Sequence, residues 1–123
     1  MNPYQKYQQQ SVMTMTQGEM LIKLYDEVIK QLNAIKVLNE KKDYQGSNQA
    51  SQKAQRIISY LNSTLNFDYE ISNNLSVLYD YFNSCLVKTN LSKDSSLLDD
   101  ILPMISDLRD SFSQADRSAR KSQ

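Results

Sequence analysis

Histidine is absent from the 123 residues, which removes the commonest metal ligand and general base together. Neither the Glu-x-x-His carboxylate-metal motif nor a zinc site built on His can be assembled. The one cysteine, Cys85, supplies neither a multi-cysteine site nor an intramolecular disulfide, and in an apolar-periodic stretch it reads as a buried, inert thiol. Gly and Pro contribute two residues each, where average usage would supply about fourteen or fifteen together. The turns of an all-β fold are therefore missing, and helices are expected. Gly18 and Gly46 stand in no P-loop or dinucleotide-loop context. Serine is plentiful, but a serine nucleophile needs a base that this chain does not offer. The adjacent Asp99 and Asp100 diverge by about 100° on a helix and cannot converge on one substrate atom. A non-enzymatic protein without metal, nucleotide or other cofactor is expected.

An excess of either charge is also missing. Lys plus Arg and Asp plus Glu number 14 each, for a formal net charge of zero, so there is no electrostatic footprint for nucleic acid or an anionic membrane. The first ten residues are polar where a signal peptide needs an apolar stretch, and no apolar run approaches a membrane span. The expectation is a cytoplasmic protein without membrane insertion.

What is present is helical periodicity. Residues 1–15 are rich in Gln, lack an apolar period and read as an extended N-terminal arm. Thr16-Gln17-Gly18-Glu19 forms a capping box, after which Leu21, Tyr25, Val28, Leu32 and Ile35 recur at spacings of four and three. Helix one should run to about Asn39. After the charged Glu40-Lys41-Lys42-Asp43, a second helix near 44–66 carries Ala50, Ala54, Ile57 or Ile58, Leu61 and Leu65, its alanines suited to close helix approach. A third, about 70–90, carries Ile71, Leu75, Leu78, Phe82, Cys85 and Thr89. A fourth, near 95–114, carries Leu98, Ile101, Ile105, Leu108 and Phe112, with Ser92 or Asp94 as candidate caps. Pro103 should kink or break it around Leu102. Residues 115–123 read as a flexible, solvated tail. Four helices of about 20 residues with short connections predict an all-α, antiparallel up-down four-helix bundle over residues 16–114.

The apolar stripes exceed a two-per-heptad seam: helix one adds Met20, Ile22, Leu24, Ile29, Val37 and Leu38, and helix three adds Tyr79, Tyr81 and Leu86. Some of this width fills a bundle core. The rest could line grooves for a partner helix, rimmed by some of the eight tyrosines.

The order of the motifs is more specific. Tyr7-Gln8-Gln9-Gln10-Ser11-Val12, Leu21-Ile22-Lys23-Leu24-Tyr25-Asp26, Lys53-Ala54-Gln55-Arg56-Ile57-Ile58 and Asn74-Leu75-Ser76-Val77-Leu78-Tyr79-Asp80-Tyr81 follow one another along the chain. With Asn90, Asp94 and Leu108-Arg109-Asp110 they make the sequence from Tyr4 to Phe112 resemble the FliS family of flagellin export chaperones. It departs from that pattern at Gly18, where many relatives have Pro, at Asp68-Tyr69, at Pro103 and at Phe112, a site often filled by Trp. The resemblance implies a cytoplasmic chaperone that binds the disordered C-terminal segment of flagellin, blocks premature polymerisation and delivers its cargo to the type III export gate. A regulatory adaptor that sequesters an anti-sigma factor, or another flagellar regulator, through the same surface is the alternative. The partner-binding residues expected on this basis are Tyr4, Tyr7, Val12, Leu21, Leu24, Tyr25, Ile29, Leu78, Tyr79 and Phe82. They should divide between core and groove, with Tyr25 and Tyr79 as the leading anchors, and Tyr7 and Val12 folding over the groove.

Overall fold

The computed structural model describes residues 15–121. Tyr4, Tyr7 and Val12, and the arm they belong to up to Thr14, lie outside the described residues. Four helices make up the fold, and no strand occurs among the described residues: α1 Gln17–Glu40, α2 Tyr44–Ser63, α3 Ile71–Ser92 and α4 Ser96–Lys121. Each packs on its sequence neighbour, and α4 closes the square against α1. The result is an up-down bundle in which α1 and α3 face each other across the diagonal.

The helix starts follow their side chains. Thr16 Oγ1 accepts the Glu19 amide at 3.1 Å, the first half of the capping box. Asp43 accepts the Gly46 amide at 3.0 Å, which holds the start of α2 despite the weak helix formers Gln45 to Asn48. Asp94 accepts the amide of Ser96 and Ser92 that of Asp94, so both candidate caps shape the entry to α4. α1 and α3 end on Lys42 and Lys93, both at φ 60°, the left-handed stop that glycine usually supplies.

Tyr25, Val28, Leu32 and Ile35 of α1 are buried against Ala50, Ala54, Ile58 and Leu61 of α2 and Leu98, Ile101 and Ile105 of α4. Ala50 and Ala54, with the buried Ser47 and Ser51, give close α1–α2 packing rather than a depression. Ile58, not Ile57, takes the inward position on α2. Helix α3 is turned relative to expectation: Leu75, Tyr79, Phe82, Cys85, Leu86 and Thr89 are buried, Leu78 is half-buried and Ile71 is exposed. Leu75-Tyr79-Phe82-Leu86-Thr89 keeps the same four-three rhythm, and this rotation brings the Tyr79 hydroxyl to that of Tyr25.

Helix α4 differs from expectation twice. It is continuous across Pro103, which is exposed together with Asp99, so the carbonyl left without a helical donor faces water. It also continues to Lys121, through residues expected to form a loose tail. Asp116 lies against Gly18, where an added Cβ would collide with its carboxylate. Arg120 pairs with Asp116 and, at 3.3 Å, with Glu19. The carboxylate of Asp116 thus meets the positive end of the α1 dipole, and Gly18 permits that approach.

Candidate partner-binding groove

Where α1 begins and α2 ends, the two helices diverge enough to leave an apolar groove of about 460 Å³. Met20, Leu21 and Leu24 form one wall and Tyr60 and Leu61 the other, with Gln17 and Thr64 at the rim. The geometry follows from the helical period: Leu24 and Met20 sit on the α2-facing edge of α1, while Tyr60 flanks the buried Leu61 on α2. Leu21 and Leu24 are half-buried on the core, and Tyr60 is 52% exposed. Apolar walls with a hydroxyl- and amide-bearing rim suit the apolar face of an amphipathic segment.

Two other depressions are lined mainly by side chains that carry an amide, a hydroxyl or a charge. One of about 690 Å³ runs along the outside of α2 past Gln52, Gln55, Arg56 and Ser59 and shares Tyr60 with the groove. The other, about 390 Å³, lies at the opposite end between Lys36, Asn39, Lys93 and Asp99. Amide and charged walls lose hydration when an apolar surface covers them, so the α1–α2 groove is the better seat. Beyond it, the α2–α3 connection exposes Phe67 and Tyr69, and Ile71 opens α3, extending the apolar surface at this end of the bundle.

Of the residues expected from sequence, Leu21 and Leu24 line the groove. Ile29 and Leu78 are half-buried against the core elsewhere: Ile29 on the edge of α1 that also carries the Asp26 pair to α4, and Leu78 on α3. Tyr25, Tyr79 and Phe82 are 1%, 2% and 1% exposed and present no surface in this conformation. The Tyr25 and Tyr79 hydroxyls meet at 2.5 Å across the bundle diagonal, and the Phe112 ring lies 5.6 Å from that of Tyr25. Burial, helped by this hydrogen bond, pushes the Tyr25 phenol well above its ordinary range, and burial raises that of Tyr79 against the opposing effect of the same bond. The two neutral phenols satisfy each other inside the core.

Tyr60 was missed by the sequence reading. Its signal was an aromatic side chain one residue before a seam leucine, hence some 100° round at the edge of the α2 apolar face. Ion pairs tie α1 to both of its neighbours: Lys53 to Glu27 at 2.9 Å between α2 and α1, and Arg109 to Asp26 at 2.8 Å between α4 and α1. The Lys53 hydrogen bond holds the Glu27 carboxyl below the usual carboxylate range. No group of three or more Cys, Asp or Glu that could hold a metal occurs among the described residues, and none of the described helices is long and apolar enough to cross a membrane.

A family model described as "Flagellar protein FliS" matches residues 1–119. The flagellar secretion chaperone FliS of Bacillus subtilis (strain 168) is 38% identical over 120 residues, covering 98% of this chain and 90% of the relative. A solved structure described as a flagellar chaperone from bacteria superposes with a TM-score of 0.77 at 23% identity, over 98% of this chain and 96% of the other. At that identity the superposition speaks for the fold.

Proposed function

Because the chain belongs to the family of flagellar protein FliS, we propose that it is a cytoplasmic flagellar secretion chaperone that binds the C-terminal segment of flagellin. The observation that carries this reading is the groove of Met20, Leu21, Leu24, Tyr60 and Leu61, an apolar trough open to solvent. Such a trough receives an amphipathic segment that would otherwise bury its apolar face against further flagellin subunits. Holding that face lowers the free concentration of assembly-competent ends and so opposes premature polymerisation by mass action. Binding needs no nucleotide: the apolar area removed from water, at about 25 cal/mol per Å², offsets the cost of ordering the segment.

Leu21 and Leu24 are the direct contacts, and Tyr60 packs over the bound segment. Tyr25, Tyr79 and Phe82 set the shape of the wall from within, while Ile29 and Leu78 extend the contact where a longer segment wraps the bundle. Tyr4, Tyr7 and Val12 of the arm add contacts at the end of the groove nearest their attachment. The loaded chaperone then presents its cargo to the export gate.

Calorimetric titration with a peptide from the flagellin C-terminus tests the proposal. One-to-one binding that Leu24→Gln weakens is the expected result; absence of binding by the folded wild-type protein refutes it. Capture of an anti-sigma factor from extracts lacking flagellin, with no affinity for the peptide, would make the protein a regulatory adaptor instead.

A further inference from the structure

Apolar walls that face each other across water, as Met20, Leu21 and Leu24 face Tyr60 and Leu61, gain free energy by closing on each other. What opposes that closure lies on the other side of α1. Among the described residues, no hydrogen bond or ion pair joins the stretch from Gln17 to Asp26 to α2; its polar ties to other helices go to α4 and across the core to Tyr79. The first tie to α2, Glu27 to Lys53, comes about one turn beyond Leu24.

The contacts of this stretch with α4 form a ladder at spacings of three and four along α4. Arg109 grips Asp26 through two nitrogens, at 2.8 and 3.4 Å. The Phe112 ring lies 5.6 Å from that of Tyr25. Asp116 lies against Gly18, and Arg120 pairs both with Asp116 and, at 3.3 Å, with Glu19. Phe112 is the last apolar side chain of α4 to pack on the core. The helix nevertheless continues to Lys121, and the side chains of that extension reach the first turn of α1.

We infer that the last two turns of α4 are a strut that sets the width of the groove. Asp116 and Arg120 fix the first turn of α1 on α4 and so keep Met20, Leu21 and Leu24 from closing on Tyr60 and Leu61. Both are positioning residues: neither lines the groove, and they act through α1. Gly18 makes the strut possible, since a Cβ there would displace the Asp116 carboxylate from the positive end of the α1 dipole. Walls held apart before binding remove part of the ordering cost from association, so the strut raises affinity without touching the bound segment. By reciprocity, a segment in the groove strengthens the strut. The effect on affinity rests on the flagellin-segment reading of the groove; the effect on width does not, and the two are measured separately.

Spin labels at Lys23→Cys and Ser63→Cys, exposed positions near the two helix ends, in a Cys85→Ala background, report the α1–α2 distance by double electron–electron resonance in the free protein. Arg120→Glu sets a carboxylate against Glu19 and Asp116, and it should broaden the distance distribution toward shorter values. Adding Glu19→Lys should restore the distribution, because the pair re-forms with its signs exchanged. In calorimetry with the flagellin C-terminal peptide, Arg120→Glu should bind about three- to fivefold more weakly, a modest loss because the ion pairs it breaks are exposed, and the double variant should recover. Circular dichroism shows that each variant keeps its helix content. An unchanged distribution in Arg120→Glu, no recovery in the double variant, or a narrowed groove that binds the peptide with wild-type affinity would each overturn the proposal. Should the wild-type protein not bind the peptide at all, the flagellin reading fails, and the distance distributions still decide whether the strut exists.

Discussion

The hydroxyl pair at the bundle centre can be tested by removing one oxygen at a time. Tyr25 and Tyr79 are 1% and 2% exposed and their hydroxyls lie 2.5 Å apart. Tyr79→Phe leaves the Tyr25 hydroxyl in an apolar core without that partner, and Tyr25→Phe does the converse. Each should cost about 1–3 kcal/mol, the desolvation of an orphaned polar group rather than the net worth of one hydrogen bond. The double variant replaces both partners by rings of nearly the same shape, so it should be nearly neutral. The double-mutant cycle should therefore give a coupling of about 1–2 kcal/mol or more, outside the usual additivity error of ~0.5 kcal/mol. Urea unfolding followed by circular dichroism measures it, with constant m as the check that only stability has changed. Additive costs would refute the claim that these phenols satisfy each other. The same variants separate core from groove. Neither phenol reaches the surface, so the folded Phe variants should bind the flagellin peptide within about twofold of wild type. A tenfold loss would mean that the bundle opens there on binding and that the two tyrosines are anchors after all.

Three further outcomes are expected. Leu24→Gln, at the groove wall, should weaken peptide binding by about 1–3 kcal/mol in calorimetry while shifting the melting temperature little, because Leu24 is only half-buried; loss of stability without loss of affinity would place Leu24 in the core. Lys42→Gly should stabilise by about 0.5–1 kcal/mol, since Lys42 is exposed and held at φ 60°. Lys93→Gly, at the same φ, should gain less, because Lys93 donates to Asn90 at 2.7 Å and lies over the Tyr44 ring; equal gains in thermal melts would contradict this. Stability should fall as pH rises above 10: the Tyr25 and Tyr79 pKa values are raised in the folded state above the value of 10.0 that governs the unfolded chain, so the unfolded state releases those protons first. The double Phe variant should lose less stability than wild type over that alkaline range; an identical loss would exclude the pair as its source.

Most of the bundle was legible because helix boundaries are set locally. Thr16, Asp43 and Asp94 act through hydrogen bonds within three residues, and the four-three spacing states directly that each segment buries one side. Where expectation and structure part, the deciding group lies far away in sequence. Residues 115–121 look like a polar tail until Asp116 and Arg120 are set beside Gly18 and Glu19, about a hundred positions earlier. Pro103 looks like a break until the exposure of Asp99 and Pro103 is known.

The groove was legible only in part, for a reason built into wide apolar stripes. On α1, Leu24 and Tyr25 are adjacent and both apolar, and on α3 the same holds for Leu78 and Tyr79. A rotation of the helix by less than one residue's 100° exchanges which of each pair points inward. Spacing alone cannot fix that rotation, because Leu75-Leu78-Phe82 and Leu75-Tyr79-Phe82 are equally regular. Hydroxyl chemistry fixes it. A tyrosine can be fully buried where its oxygen finds a partner, and the two tyrosines, 54 residues apart, provide that partner for each other only when both turn inward. Once they do, Leu24 is forced to the α2-facing edge of α1, and the groove appears between it and Tyr60. The side chains that seemed best suited to grip a partner are thus the ones that place the leucine that does.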